Sequence, residues 1–479
     1  MDVNFVALLP SIQVTVAALA VLLLDTFFKD DEKPLLAWVS LLGVALGIAG
    51  AAMLWGSQET AFGGTFLLDN FALFFIQLVL IVAALTIVSS ISYVRQTGIY
   101  QGEWYALILF ATAGSILMVC ANDLIVFFLG LETMSISVYV LSGMWRASSR
   151  ASEAAMKYFV IGAFATGFLL YGIALLYGAT GSTALREIAA HLVETQADWP
   201  LFLAGGGLLL LIGFAFKVGA VPFHFWIPDV YEGAPTPVTG FMAVAVKAAA
   251  FAAWARVLMH ELSPLDSEWA SPVKLIAILT MTVGNFLAIS QTSVKRMLAY
   301  SSIAHAGYAL VAVVAGEEWG GPALLFYLLA YAPMTFGAFA VVTALSDGPR
   351  MREGYGDFAG LALKHPFVAL SMAVFMLSLA GFPPLGGFTG KFYVFRAAVN
   401  SGHTDLAVIG VLNSLVSVVY YLRVIVKMYM EPGAASAQSF GKAPGLYLAI
   451  AAAVITSFYL GILPMQALDW SRNAFLSLY

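Results

Sequence analysis

The sequence predicts an all-α integral membrane protein of about fourteen transmembrane helices, with two inverted five-helix repeats in which helices 7 and 12 are broken. Three observations predict it. Of 479 residues, 61% are hydrophobic and only 10% charged, against roughly 25% charged in soluble domains, and the mean hydropathy of +0.91 agrees. Polar residues gather in short strips between long apolar runs instead of marking one stripe of each helix, so the bilayer is the solvent. Proline and glycine interrupt two of the apolar runs at matching places in the two halves.

A spanning helix needs roughly 20 mostly apolar residues. On that template the spans lie near 6–28, 35–55, 70–93, 104–120, 122–145, 154–178, 200–231, 236–261, 272–290, 297–315, 321–346, 366–400, 404–430 and 445–468. No basic segment precedes the first, which reads as a retained span and not a cleaved signal peptide. The longest connection, Gly181 to Trp199, carries a short surface helix from Ala184 to Glu194.

Loop charges orient the map. Lys29, Lys33, Arg95, Arg146, Arg150, Lys295, Arg296, Arg350, Arg352, Lys364, Lys427 and Lys442 fall on one side, and only Arg186, Lys274, Arg396 and Arg472 on the other. By the positive-inside rule both termini lie outside. With no targeting extension, the expected location is a bacterial inner (plasma) membrane, crossed many times, with both termini periplasmic.

Composition also excludes chemistry. The single cysteine, Cys120, allows neither a disulfide framework nor an iron–sulfur site within the chain. The six histidines lack zinc-ligand spacing, no phosphate-binding glycine motif is present, and a net charge of −5 without a basic patch argues against nucleic acid. The expected count of metals and cofactors in this chain is none.

Six basic residues remain inside the spans: Lys157, Lys217, Lys247, Arg256, Lys391 and Arg423, joined by Glu132, His224 and His305. A lysine or arginine at helix centre costs about 2.5–3.5 kcal/mol on insertion scales, so such a cluster points to function, and proton relays are a leading use. Arg256 and Arg423, nearer helix ends, read as snorkelling to the interface. Burial disfavours the ammonium form of lysine and a nearby carboxylate favours it. Shifting the carboxylate therefore switches the lysine between holding and releasing a proton. Glu132 and Lys217 form such a pair if spans 5 and 7 touch, with Lys247 next and Lys391 toward the exit. His224 and His305 titrate near neutrality and suit bridging roles. Plainer alternatives stand beside these. Glu132 and Lys217 also suit a static pair between two helices, His224 a bond to a carbonyl freed by the helix break, and Lys157 a snorkelling position.

Span 7 carries Lys217 and then Pro222, and span 12 carries Pro383, Pro384, Gly386 and Gly387 ahead of Lys391. Proline removes a donor and clashes with the preceding turn, so both helices break mid-membrane. Irregular backbone at that depth is tolerated where it is buried in protein or lines a wet cavity. Interrupted helices in corresponding positions indicate inverted repeats. The predicted organisation is a three-helix segment (1–103), repeats at 104–262 and 263–430, and a last span within 431–479. The second repeat offers His305 where the first has Glu132, and Arg423 where the first has Lys247.

The stretches FKVGAVPFHFWIPDVYEGAPTPVTG (216–240), FLGLETMSISVYVL (128–141), LAGFPPLGGFTGKF (379–392) and NSLVSVVYYLRV (413–424) resemble the subunit N family of respiratory complex I, the proton-pumping NADH:quinone oxidoreductase. The resemblance covers essentially the whole chain, and PDVYEGAPTPVT separates it from the sister subunits L and M. It implies fourteen helices packed against other membrane subunits and phospholipids, with NADH, FMN, iron–sulfur clusters and quinone held by partner chains. It also implies that Glu132, Lys217, Lys247 and Lys391 match the family's relay positions, and that Lys157 and His224 match positions the family uses. The helix 8 histidine of L and M is missing here, as is a long lateral helix after span 14. The rival readings are a subunit of a multi-subunit Na⁺/H⁺ antiporter, a membrane scaffold without transport, and a substrate transporter with a midplane pocket.

Overall fold

The computed structural model describes residues 3–29, 32–99, 101–194, 201–263, 266–346, 352–432 and 443–479; Arg350 and Lys442 lie outside them. The chain opens with helices α1 (Leu9–Asp25) and α2 (Leu36–Met53), followed by a short antiparallel hairpin of β1 (Glu59–Ala61) and β2 (Phe66–Leu68). Next come α3 (Asn70–Thr97), α4 (Glu103–Val119), α5 (Leu124–Ser142) and α6 (Ser149–Thr180). The surface helix α7 (Leu185–Glu194) appears where the sequence placed it.

The prolines end the two predicted helices as expected. α8 (Leu201–Val218) stops at Gly219, whose φ of +77° only glycine adopts readily, and the chain resumes as α9 (Trp226–Gly233). After α10 (Thr236–Phe241) and α11 (Lys247–Trp254) come α12 (Asp266–Ile289), α13 (Val294–Val314), α14 (Gly316–Leu345) and the short α15 (Leu361–Lys364). α16 (Pro366–Ala380) stops at Gly381, φ +91°, and α17 (Gly386–Asn400) follows. Val221–Pro222 and Pro383–Pro384 are cis. The freed backbone groups find partners: Trp226 Nε1 donates to Phe216 O at 3.3 Å, Val221 N to Thr280 Oγ1 at 2.9 Å, and Gly387 N to Ser378 Oγ at 3.1 Å. The chain ends with α18 (Thr404–Met430), α19 (Pro444–Ile462) and α20 (Met465–Leu476).

Among the described residues ten helices are long and apolar enough to cross a membrane; α1, α4, α8 and α16 are apolar but shorter. The segment Thr236–Glu261, α13 and α14 are almost wholly enclosed by the others, and α6, α18 and α19 turn most of their surface outward. Thr236–Glu261 is one continuous helix, but π-helical turns at Met242–Val246 and Ala255–Glu261 bracket α11, a feature frequent at functional sites.

Two local arrangements recur. α4 crosses α5 through glycines: a Cβ on Gly114 would stand 2.4 Å from Met134 N, and one on Gly130 2.5 Å from Met118 N. α12 crosses α13 in the same way through Gly284 and Gly307. Small residues let membrane helices approach backbone to backbone. Ahead of α5, Leu124 N donates to Thr183 O and Leu185 N to Asn122 O; ahead of α13, Val294 N donates to Glu353 O and Tyr355 N to Thr292 O. Every atom of the second set stands 170 residues after its counterpart in the first. Asp123 and Ser293, also 170 apart, cap the two helices, accepting from Ile125 N and from Arg296 N.

Two charged residues differ from expectation. Arg256 does not snorkel; it is 1% exposed and makes a bidentate pair with Asp69, both N–O distances 2.9 Å, while its Nε donates to Val119 O. Asp69 caps α3 at the same time, accepting from Ala72 N at 2.7 Å. Lys295, counted among loop charges, is fully buried against Glu353 at 2.9 Å and Ala234 O at 2.7 Å. Arg423 does reach outward, to the carbonyls of Ile289 and Gln291 at the end of α12.

Candidate functional site

Besides Lys295, three lysines are enclosed in the helix bundle. Lys217 is 5% exposed, Lys247 3% and Lys391 4%. α8 carries Lys217 in its last turn, two residues before the break, and its Nζ donates to Ser135 Oγ of α5 at 2.5 Å. The same ammonium stands 5.8 Å from the ring centre of Tyr139 and 6.0 Å from that of Tyr158, as a cation over aromatic faces. Glu132 lies one turn before Ser135, the partner of Lys217, on the same face of α5. Glu132 and Lys217 do not form a closed ion pair: Glu132 Oε1 is buried with no hydrogen-bond partner. The carboxylate and the ammonium are thus neighbours held apart, with Ser135 as the lysine's immediate partner.

Lys247 opens α11 immediately after the first π turn, and its Nζ donates to Ser302 O at 2.6 Å and Ser302 Oγ at 2.5 Å. Tyr331 of α14 donates its hydroxyl to Ser302 Oγ at 3.0 Å, and its ring stands 5.8 Å from the ammonium. One turn past Ser302, His305 has both ring nitrogens engaged. Nδ1 meets the Tyr327 hydroxyl at 2.6 Å and Nε2 the Tyr421 hydroxyl at 3.2 Å. Tyr421 in turn meets Ser301 Oγ. The His305 ring stands 5.2 Å from that of Tyr331, the ring beside Lys247, and 5.5 Å from that of Tyr308, the ring beside Lys391.

Lys391, in the second turn of α17, uses all three ammonium protons: on Leu379 O at 2.9 Å, Ala380 O at 3.2 Å and Ser414 Oγ at 2.8 Å. Two of those acceptors are carbonyls left free where α16 ends. The ammonium also lies 4.7 Å from the ring centre of Tyr308. A cavity of about 430 Å³, lined by Phe382, Phe388, Phe392, Val411 and Leu415, leads outward from Lys391 and Ser414. Unlike the buried Lys295, which pairs with Glu353, none of these three has an ion-pair partner among the described residues; hydroxyls and carbonyls hold all three.

The structure brings Lys217, Lys247, His305 and Lys391 into the enclosed bundle and places two other candidates at its edge. Lys157 is 40% exposed and pairs with Glu153 and Asp229, both at 2.8 Å. Arg296 joins the cluster through Asp229 and Glu232, and the group lines a cavity of about 240 Å³. Because these side chains are partly solvated, Arg296→Ala should cost no more than about 1 kcal/mol. The thermal midpoint in detergent checks this, and a drop reflecting several kcal/mol would show that the cluster is desolvated. His224, within the first break, has a half-buried ring.

The hydroxyls are what sequence reading missed: Ser135, Ser302, Ser414, Tyr331, Tyr327, Tyr421 and Tyr308. One signal was present. Ser302 and His305, like Glu132 and Ser135, are three apart and so share a helix face.

Enclosed lysines beside interrupted helices, in a bundle of apolar spans, describe a membrane subunit of the antiporter-like type. The family described as NADH:quinone oxidoreductase/Mrp antiporter, TM matches residues 121–417. NADH-quinone oxidoreductase subunit N of Trichlorobacter lovleyi is 46% identical over 98% of this chain and 97% of its own. A chain in respiratory complex I from Thermus thermophilus with bound aureothin superposes with a TM-score of 0.82 at 36% identity, covering 96% of this chain and 98% of that one. A chain of the Mrp complex from Dietzia sp. shares the fold alone, with a TM-score of 0.86 at 23% identity over 99% of this chain and 98% of that one. The chain belongs to the NADH-quinone oxidoreductase subunit N family.

Proposed function

We propose that this chain is the proton-translocating subunit N of a bacterial NADH:quinone oxidoreductase, and that Glu132, Lys217, Lys247, His305 and Lys391 carry the proton. The observation that supports this most is the set of three enclosed lysines held only by hydroxyls and carbonyls. A lysine kept charged for structure alone is expected to have a carboxylate, as Arg256 has Asp69. A lysine without one can give its proton up when its surroundings change. Glu132, close to Lys217 but not closed on it, is the movable charge: approach holds the proton on Lys217, and withdrawal sends it toward Lys247.

The proton then passes from Lys247 by way of His305 to Lys391 and leaves outside. Uptake is near the break at Pro222, with His224 beside it, and Lys157 at its edge. NADH oxidation, flavin, iron–sulfur clusters and quinone reduction belong to partner subunits, and this chain contributes translocation without a redox centre. Its neighbours are other complex I membrane subunits and phospholipids.

The fourteen apolar helices are read as fourteen crossings with both termini outside, α8 with α9 and α16 with α17 each making one broken crossing. The recurrent glycine crossings and the bridges 170 residues apart support two inverted repeats, within the limits 104–262 and 263–430. Residues 1–103 precede them and the last span follows.

The test is NADH-driven proton uptake by inverted membrane vesicles carrying Lys217→Ala. Proton uptake and NADH oxidation should fall together, by about 100-fold or more, while the complex stays assembled. The antiporter reading, favoured by the shared fold with the Mrp chain, predicts instead that a Na⁺-driven pH change is lost while NADH-driven activity is untouched.

A further inference from the structure

The second repeat raises a question about Glu132. Its counterpart by sequence pattern was His305, but the backbone register says otherwise. The paired bridges ahead of α5 and α13 are 170 residues apart at every atom, and so are the capping residues Asp123 and Ser293. Both helices then run without interruption, α5 to Ser142 and α13 to Val314. The same spacing puts Ser302 in the place of Glu132, and His305 in the place of Ser135. The neighbours agree. Ser135 receives the Lys217 ammonium, and His305 shares the Tyr308 ring, 5.5 Å away, with Lys391, the lysine beside the other break, whose ammonium is 4.7 Å from it.

Ser302 is 1% exposed. Its carbonyl and hydroxyl both accept from Lys247, and the hydroxyl also accepts from Tyr331. With both lone pairs of Oγ accepting, the hydroxyl's own proton is free to be given onward, and it can go to Tyr331 when that hydroxyl turns away.

Resting on the repeat and relay described above, we propose that Ser302 is a proton-carrying residue: the uncharged stand-in for Glu132 through which Lys247 exchanges its proton with the tyrosine and histidine cluster. When Lys247 is an ammonium, Ser302 Oγ accepts from it; when Lys247 is a neutral amine, the Ser302 hydroxyl donates to it. In the forward step a Lys247 N–H bond breaks as a proton bonds to Ser302 Oγ. Once the Tyr331 hydroxyl has turned from Ser302 to a water molecule beside His305, the Ser302 hydroxyl's original proton passes to the Tyr331 oxygen and Tyr331's own proton moves by that water to His305, whose ring centre is 5.2 Å from that of Tyr331. Lys247 ends neutral, both hydroxyls end neutral, and the imidazole carries the charge. A carboxylate at this place would hold the Lys247 proton; a hydroxyl passes it on without retaining it.

The test uses the assembled complex in inverted membrane vesicles, reading NADH-driven proton uptake and NADH oxidation side by side. Ser302→Ala keeps the carbonyl contact but removes the hydroxyl, and proton uptake should fall roughly tenfold or more, the range set by losing a hydrogen bond to a charged group. Ser302→Thr, which keeps the hydroxyl, should retain most of the uptake; a merely space-filling role would make alanine the milder change. Tyr331→Phe keeps the ring beside Lys247 and removes only the second hydroxyl. It should show the same loss, and it provides the reading if Ser302→Ala fails to assemble. Wild-type uptake in Ser302→Ala, or in Tyr331→Phe, would overturn the proposal. If Lys217→Ala is impaired in the same vesicles, the relay stands and only Ser302's part falls; if Lys217→Ala is also normal, the relay itself falls.

Discussion

Arg256→Met is expected to destabilise the protein by about 3–5 kcal/mol, because it leaves the Asp69 carboxylate buried without its counter-ion. Both side chains are 1% exposed, so water cannot take the place of the guanidinium without opening the junction of α3, the end of α4 and the second π turn. The change also removes the only donor on Val119 O from this arginine, and its stacking on Phe71 at 5.0 Å. A double variant, Asp69→Asn with Arg256→Met, should recover most of the loss. Asparagine still caps α3 by accepting from Ala72 N, and no charge remains to be neutralised. Thermal unfolding in detergent and the amount of chain in the membrane measure both. A single variant as stable as wild type would mean that Asp69 is hydrated after all.

Gly387→Val should disable the second break. A Cβ at this position would stand 1.8 Å from Ser378 O and 3.0 Å from Met334 Sδ. The first of these is backbone, which cannot swing aside as a long side chain does. The first turn of α17 must therefore move off α16, and with it Lys391, whose ammonium sits on the last carbonyls of α16. Displacing a reacting group by about 1 Å costs on the order of 100-fold in rate. NADH-driven proton uptake should fall by that factor, with an overpacking loss of about 1–3 kcal/mol in stability. Gly167→Ala is the control. It faces open space in the middle of α6, and uptake should be unchanged. Equal uptake in Gly387→Val would show that the geometry of the break does not set the position of Lys391.

Much of this was legible in the sequence, for physical reasons that can be named. Long apolar runs located the spans because a lipid-facing helix needs no alternation. Pro222, Pro383 and Pro384 announced the breaks because their ring chemistry is local. Buried Lys217, Lys247 and Lys391 stood out because charge is expensive in a span. What could not be read was the partner of each group. Asp69 caps α3, but its pairing with Arg256 joins residues 187 apart. Serines and tyrosines are ordinary in membrane helices, so nothing marked Ser302 or Tyr331 until the bundle brought them to Lys247. The hairpin of β1 and β2 is three residues a side, too short to leave a periodic pattern, and the π turns around α11 alter register without altering composition.

The position of α3 has a consequence in time. It packs against α10, α11, α14, α19 and α20, and Phe71 N donates to Ser477, 406 residues further on. At synthesis rates of about 5–20 residues per second, the arginine that neutralises Asp69 follows it by roughly 10–40 s, and the covering α19 and α20 arrive after roughly 20–80 s. For that interval Asp69 must stay in water at the end of its helix, since the low-dielectric site it finally occupies does not yet exist. The helix made third is among the last to be finished, and the chain can close around it only once the ribosome is nearly done.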